Sequence, residues 1–345
     1  MNDRTTIQSL LVVSDHPRNA ETPLPALDAA VTPSALVYVR CNFDIPVVDA
    51  AAWTLSLEGC CARPEVLTLD RLGAMSHREV HATVECAGNG RKLMNPVPSG
   101  TPWGLGAVST VVFGGTPLRY VLELCGLDPA AVEIVCEGAD RGTVDDGRAV
   151  RFVRSLPREQ ALHPDTLVAW TLNGEPLEPA HGYPLRLVVP GWYGVASVKW
   201  LTRLIAVTAP FTGHFQTERY VYLDHPEYEQ RAPVTFMHVR SLITSPYEGA
   251  AIRVGEPGTI RGIAWSGFGA VRRVDVSTDE GAAWRPARLR PAASPWAAAN
   301  WECDWSPQHA GEQVLMARAE DTAGGSSPWT PRGTGWATAT TRCTG

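Results

Sequence analysis

The stretch ATVECAGNGRKLMNP sets Cys86 at the end of an apolar, β-branched run and follows it at once with Gly88, Asn89, Gly90, Arg91 and Lys92. A cysteine that only fills space needs no such turn, because it packs as a small hydrophobe wherever a core has room. Glycines let the backbone turn tightly and approach a ligand closely, and the neighbouring cations stabilise a thiolate. The spacing therefore suits a thiolate presented to something metallic or anionic. A second group of residues points the same way. Arg40 follows a strand, His181 and Arg186 lie in AHGYPLRLVVPG, and Lys199 lies in GWYGVASVKW. Each alone reads as a solvated surface charge. Together with Arg91 they suit a pocket for an anionic cofactor and an anionic substrate, because guanidinium forks match phosphate and oxyanion geometry.

Holding such groups in place takes a core. A chain of 345 residues, 44% apolar and 19% charged, supplies one large domain or two. Residues 1–34, with Pro17, Pro23, Pro25 and Pro33, read as an irregular arm crossing the surface. SALVYVR and AAWTLSLEG then read as strands, and Leu67 to Ser76 as a short helix. The pattern predicts STVVF as a strand, a turn at Gly114 and Gly115, and a helix with Thr116 as N-cap, Pro117 at its first position and its end at Gly126. AVEIVCEG, DTLVAWTLNGEPL, PLRLVVPGWYG and SVKWLTRLIAV continue as short strands with proline-rich connections. Helix and strand mix without regular alternation, which favours an irregular α+β domain over residues 35–231.

From residue 232 to 345 the texture becomes that of a β-sandwich: GTIRGIAWS, VRRVDVSTDEGAAWRPARL and EQVLMARAED alternate with period 2 between turn residues. Alternation puts Val274 and Val276 on one face and Arg273, Asp275 and Ser277 on the other. Seven of the twelve tryptophans fall from Trp265 onward, and read as fillers of the sandwich core or of a partner interface.

Composition excludes several classes. A net charge of -6 without a long basic run argues against nucleic-acid binding. No segment approaches the roughly 20 apolar residues of a membrane span. The opening residues hold only Leu10 to Val13 as an apolar run and no twin-arginine pair. A cytoplasmic address follows if the N-terminus is complete, and a periplasmic one if an export signal was removed. The eight cysteines form no C-x-x-C pair, so zinc, attached haem and iron–sulfur clusters are not expected.

ECAGNGRKLMNP, GTPWGLGAVSTVVFGGTPLRYVLE and NGEPLEPAHGYPLRLVVPGWYGVASVKWLTRL, in that order, resemble the sulfite oxidase family of molybdenum enzymes, above all its bacterial haem-free members. The resemblance runs from about Val37 to the C-terminus. It implies a molybdopterin-binding α+β domain followed by an immunoglobulin-like dimerisation domain, and so a homodimer. Ser277, Asp279, Gly281 and Trp284 match a motif of that second domain.

Roles follow from the resemblance position by position. Cys86 matches the molybdenum ligand. Asp140, His181, Arg186 and the run Ser197, Val198, Lys199 match positions that hold the pterin and its phosphate. Arg40 and Asn42 match the loop after the first strand, with Cys41 standing where the family has the first residue of an Asn-His or Asn-Asn pair. Arg40, Arg91, Trp103 and Tyr220 match the lining of an oxyanion site, Arg219 standing where animal members have aspartate. The arginine that the second domain contributes in animal enzymes has no match; Arg272 and Arg273 are near it in sequence but offset.

The implied activity is oxidation of sulfite, or a related small oxyanion, by oxygen-atom transfer. Electrons then pass to an external acceptor such as a c-type cytochrome, since no haem, flavin or iron–sulfur segment is evident. Two alternatives stand beside it. One is a molybdopterin-dependent reductase of another oxyanion or of a sulfoxide; the presence of a sandwich and the absence of extra redox domains disfavour it. The other is a non-catalytic binding module built on the sandwich, against which Cys86, His181, Arg186 and Lys199 stand together.

Overall fold

The strand Arg78–Glu85 connects the two halves of the molecule through its two faces. Alternation puts Val80, Ala82 and Val84 on one side and His81, Thr83 and Glu85 on the other. The apolar side packs with Val37, Val111, Phe113 and Val188. The polar side meets the C-terminal domain, where Ala298 N–H donates to Thr83 Oγ1 (2.8 Å) and both Arg240 and Trp265 donate to Glu85. This computed structural model describes residues 9–223, 229–327 and, as backbone alone, 338–344.

Along its whole length that strand pairs antiparallel with Val108–Pro117, which pairs in turn with Leu167–Leu172. Asn173 (φ 52°) and Gly174 (φ 83°) close the hairpin to Glu175–Pro176 with the left-handed pair a two-residue turn requires. Arg186–Val188 completes this sheet. A second sheet runs Glu65–Thr68, Thr54–Gly59, Leu201–Val207, Glu133–Thr143, Ala149–Pro157, with one parallel pair, Thr54–Gly59 and Leu201–Val207. Leu55, Leu57, Leu118, Leu122, Ile134, Leu187 and Leu204 tie both sheets into one core, each worth about 1.5–3 kcal/mol when fully buried. Among the described residues, short α-helices such as Leu69–Gly73, Leu118–Cys125 and Arg158–Ala161 are few beside the strands, as the α+β reading anticipates.

Four local expectations change. Gly114 and Gly115 do not turn the chain: the strand runs through them to Pro117. A Cβ on either would collide with Thr171 Oγ1 or the Val168 carbonyl, so these glycines serve close strand approach. Thr116 is therefore buried within the strand, and Pro117 takes the cap position of Leu118–Cys125, which ends at left-handed Gly126. The helix expected from Leu67 starts only at Leu69, because Leu67 and Thr68 still pair with Thr54–Gly59 while Thr68 Oγ1 accepts from Arg71 N–H. SALVYVR holds a 3₁₀ turn, Ser34–Leu36, and a strand of only Val39–Arg40.

The largest correction concerns the N-terminal arm. Leu11–Ser14 and Asn19–Glu21 form a hairpin that adds Val39–Arg40 as third strand, and Asn19, Ala20, Glu21 and Thr22 are buried. Glu21 accepts from Gly104 N–H, and Thr22 N–H donates to the Gly106 carbonyl (2.9 Å). Its polar side chains satisfy buried backbone groups of the domain, a tertiary role that proline content does not disclose.

The C-terminal domain packs two sheets, Arg240–Ser245, Gly258–Trp265, Ala299–Trp305, Arg288–Leu289 against Ala251–Arg253, Thr338–Thr344, Gly311–Asp321, Val271–Ser277, Arg285–Pro286. Val274 and Val276 enter the core with Trp265, Trp301 and Trp305. Asp275, on the opposite face as alternation requires, accepts from Arg273 and Arg318. Trp296 leaves the sandwich and donates to Asp165 of the first domain (2.9 Å). Trp329 and Trp336 lie outside the described residues.

Candidate active site

Cys86 is held from both sides. Its N–H donates to the Ala107 carbonyl (2.9 Å), and its carbonyl accepts from Asn89 N–H (2.8 Å), closing a four-residue turn. Gly90 follows at φ 86°, a left-handed position where side chains are strained. Cys86 as a residue is 7% exposed. Burial raises its pKa, while Arg40, the Gly88 N–H and Arg91 pull the other way by favouring the thiolate.

The thiol opens into a recess of about 800 Å³, counted with the solvent at its mouth. Arg40, Asn42, Asp140, His181, Arg186, Ser197, Lys199 and Tyr220 share its wall with Cys86. They come from five separate places: the short third strand, the irregular end of Glu133–Thr143, the 3₁₀ turn Pro179–His181 with the strand behind it, the loop before Leu201, and the segment after the π-helical turn His214–Glu218. Arg40 donates to Asn19 Oδ1 (3.2 Å), to the Cys41 carbonyl, to Asn42 Oδ1 and to Tyr220 Oη (3.2 Å), and Tyr220 Oη–H donates to Asn42 Oδ1 (3.2 Å). Arg186 donates to the His181 and Ser197 carbonyls (2.9 and 3.3 Å) and lies 5.0 Å above the Phe113 ring. Lys199 donates to the Ala180 carbonyl (2.7 Å) and to Cys41 Sγ (3.1 Å).

Among the described residues, none of these three cations has a carboxylate within ion-pair distance. Burial lowers the pKa of Arg186 to about 10, and burial also pulls that of Lys199 below its ordinary value. Burial, then Lys199 and Arg186, lower His181 to about 3, so its imidazole is neutral at physiological pH. Burial also raises Asp140 to about 6, opposed by Lys199. Its Oδ1 is buried without a hydrogen-bond partner, and a buried polar atom left so costs free energy until something donates to it.

Three residues expected at the site are not on the wall. Arg91 folds back over Gly88 and Gly100 and donates to the Thr101 carbonyl (3.0 Å), so only its charge reaches Cys86. Trp103 is 0% exposed, packed with Tyr38, Cys86 and Ala107 behind the thiol. Val198 points into the main core while its carbonyl accepts from Leu187 N–H (2.7 Å). Arg219 faces Asp145 outside, and Arg272 and Arg273 pair with Glu320 and Asp275. Sequence reading missed Tyr38, Ser109 and Phe113 on the wall, and Glu85 and Arg240 behind Cys86. Alternation along VYVR carried a signal for Tyr38, two residues before Arg40.

Residues 42–215 match the oxidoreductase molybdopterin binding domain, and residues 231–337 the Mo-co oxidoreductase dimerisation domain. Sulfite oxidase of Gallus gallus is 36% identical over 91% of this chain and 72% of its own length. Mitochondrial sulfite oxidase of Drosophila melanogaster is 33% identical over 90% of this chain, which spans 57% of that protein. Nitrate reductase [NADH] 2 of Phaseolus vulgaris is 35% identical over 79% of this chain, which spans 34% of it. The sulfane dehydrogenase SoxCD of Paracoccus pantotrophus superposes with a TM-score of 0.82, at 30% identity, over 95% of this chain and 86% of that one. With both domains matched in order around a buried cysteine and a recess lined by three cations, the chain belongs to the sulfite oxidase family of molybdopterin-dependent oxidoreductases.

Proposed function

We propose that this protein oxidises sulfite to sulfate at a molybdenum–pterin group held in the recess, and passes the electrons to an external acceptor such as a c-type cytochrome. The observation that carries this reading is the set Arg40, Arg186 and Lys199 on the recess wall around Cys86, Arg186 buried and the other two partly so, without carboxylate partners among the described residues. Uncompensated buried charge is costly, and anionic ligands offset that cost. The residues fit the implied group: a cysteine suits a soft metal, and the unpartnered Asp140 Oδ1 is an acceptor for ring N–H groups. When bound, that group supplies oxygen-atom transfer and a two-electron redox change.

The chain does the positioning. Lys199 and Arg186 hold phosphate and pterin, with neutral His181 adding a hydrogen bond but no charge. Arg40 binds an oxyanion through a guanidinium whose geometry Asn19, Asn42 and Tyr220 already fix. Tyr220, on leaving Asn42, donates to the same anion. Val37, Val84, Val111 and Phe113 line the recess and exclude water, which strengthens each of these contacts. The match to a dimerisation domain supports a homodimer.

Sulfite-dependent reduction of ferricyanide, measured with molybdenum quantified in the same sample, tests the reading. Turnover proportional to bound molybdenum supports it. Fully loaded protein that is inert with sulfite but oxidises a reduced dye with nitrate would establish the second reading, a reductase, which the 35% identity to nitrate reductase favours.

A further inference from the structure

Arg240 belongs to the C-terminal domain, on the strand Arg240–Ser245, yet its guanidinium lies against the Cys86 turn. One nitrogen, Nη1, donates to Glu85 Oε1, the residue before the cysteine, and to the Asn89 carbonyl (3.2 Å), three residues after it. Nη2 lies 3.3 Å from where a Cβ on Gly90 would stand. Glu85 is 0% exposed and also accepts from Trp265 Nε1–H (2.9 Å), again from the second domain, and from Asn89 Nδ2–H (3.1 Å). Asn89 Oδ1 in turn accepts from Ala107 N–H (3.2 Å), on the segment that also receives Cys86 N–H.

We propose that Arg240 is a positioning residue through which the second domain clamps the turn that presents Cys86. The proposal rests on the reading of Cys86 as the metal ligand. The clamp grips both ends of the turn, so the Sγ direction depends on the second domain as well as on the bonds that Ala107 and Asn89 supply from the first. Arg240 does not line the recess, and its charge is paired with Glu85, so it offers nothing to an anionic substrate. Partners behind a metal ligand fix its orientation in this way, and their loss typically costs roughly 10–100-fold in metal affinity or activity.

The test uses the full chain, molybdenum-loaded, with Arg240→Met. The clamp predicts molybdenum loss to a chelator accelerated roughly 10–100-fold, a broadened Mo(V) electron paramagnetic resonance signal after dithionite reduction, and a fall in kcat with KM for sulfite nearly unchanged. Dithionite reduction needs no sulfite, so failure of the sulfite reading leaves this readout intact. Wild-type spectrum and retention with a raised KM would instead make Arg240 an anion-binding residue and overturn the proposal. Metal-free chain gives a second measurement: Cys86 alkylation, followed by mass spectrometry, runs roughly tenfold faster in the variant if the turn opens locally, and an equal rate rejects the clamp. Should Arg240→Met fail to fold, Trp265→Phe removes one donor while keeping the ion pair; a smaller shift in the same readouts supports the clamp, and none rejects it.

Discussion

Arg40 lies on the recess wall with Cys86 while Arg240 bonds the turn on either side of it, and their surroundings differ in one respect. Arg240 meets the buried carboxylate of Glu85, whereas Arg40 meets only amide, carbonyl and hydroxyl oxygens. A neutralised pair in a low-dielectric seam fixes geometry and leaves little net field. An arginine solvated by dipoles alone keeps its charge for whatever enters. The first domain thus provides electrostatics and the second provides rigidity, although both use the same side chain. Arg154 is a useful contrast within the first domain: also without a carboxylate partner among the described residues, its guanidinium is capped by the Phe215 and Val234 carbonyls and braces the Tyr220 segment.

Substitutions that separate field from geometry sharpen this contrast. Cys86→Ser has the largest expected effect, a folded protein whose sulfite turnover falls below detection; near-normal turnover at full metal content would remove the ligand assignment. Arg40→Met follows, with kcat/KM for sulfite lowered roughly 10²–10³-fold while the metal stays bound, the inverse of the Arg240→Met pattern. Asp140→Asn acts on stability. Its carboxyl ionises near pH 6 in the fold and near 3.8 when ordinary, so the unfolded chain deprotonates first and stability falls as pH rises between those values. Above pH 6 the substitution therefore stabilises metal-free protein by about 1–3 kcal/mol, read from urea midpoints, and weakens cofactor retention. No stabilisation at pH 7 would mean that the carboxylate finds a donor in solution. The smallest change is Tyr220→Phe, for which kcat drops about tenfold, the worth of one hydrogen bond.

The residues brought together were legible where a motif is contiguous. ECAGNGR placed Cys86 at a turn, and AHGYPLR and ASVKW delivered His181, Arg186 and Lys199, because local spacing fixes which residues arrive together. The same contiguity misled at Arg91 and Trp103. Proximity along the chain does not say which way a side chain points, and Arg91 is turned back by its bond to Thr101. Alternation identified the inward valines of the sandwich but not the polar face of Arg78–Glu85, since a Glu at a strand end reads as solvated until a partner 155 residues away covers it. Gly114 and Gly115 misread for a related reason: only the neighbouring strand shows why a side chain is excluded. The buried role of Asn19 is likewise tertiary.

The recess is also a problem in loop closure. Arg40 and Tyr220 bond across 180 residues, and Lys199 and Cys41 across 158. Contacts so distant form late, because chain entropy is lost before they contribute, and folds dominated by them are slow. By that argument the wall around Cys86 closes later than contacts local in sequence, such as the turn from Cys86 to Asn89. A group destined for it meets an open pocket early in folding and a closed one later, which makes the timing of insertion as consequential as affinity.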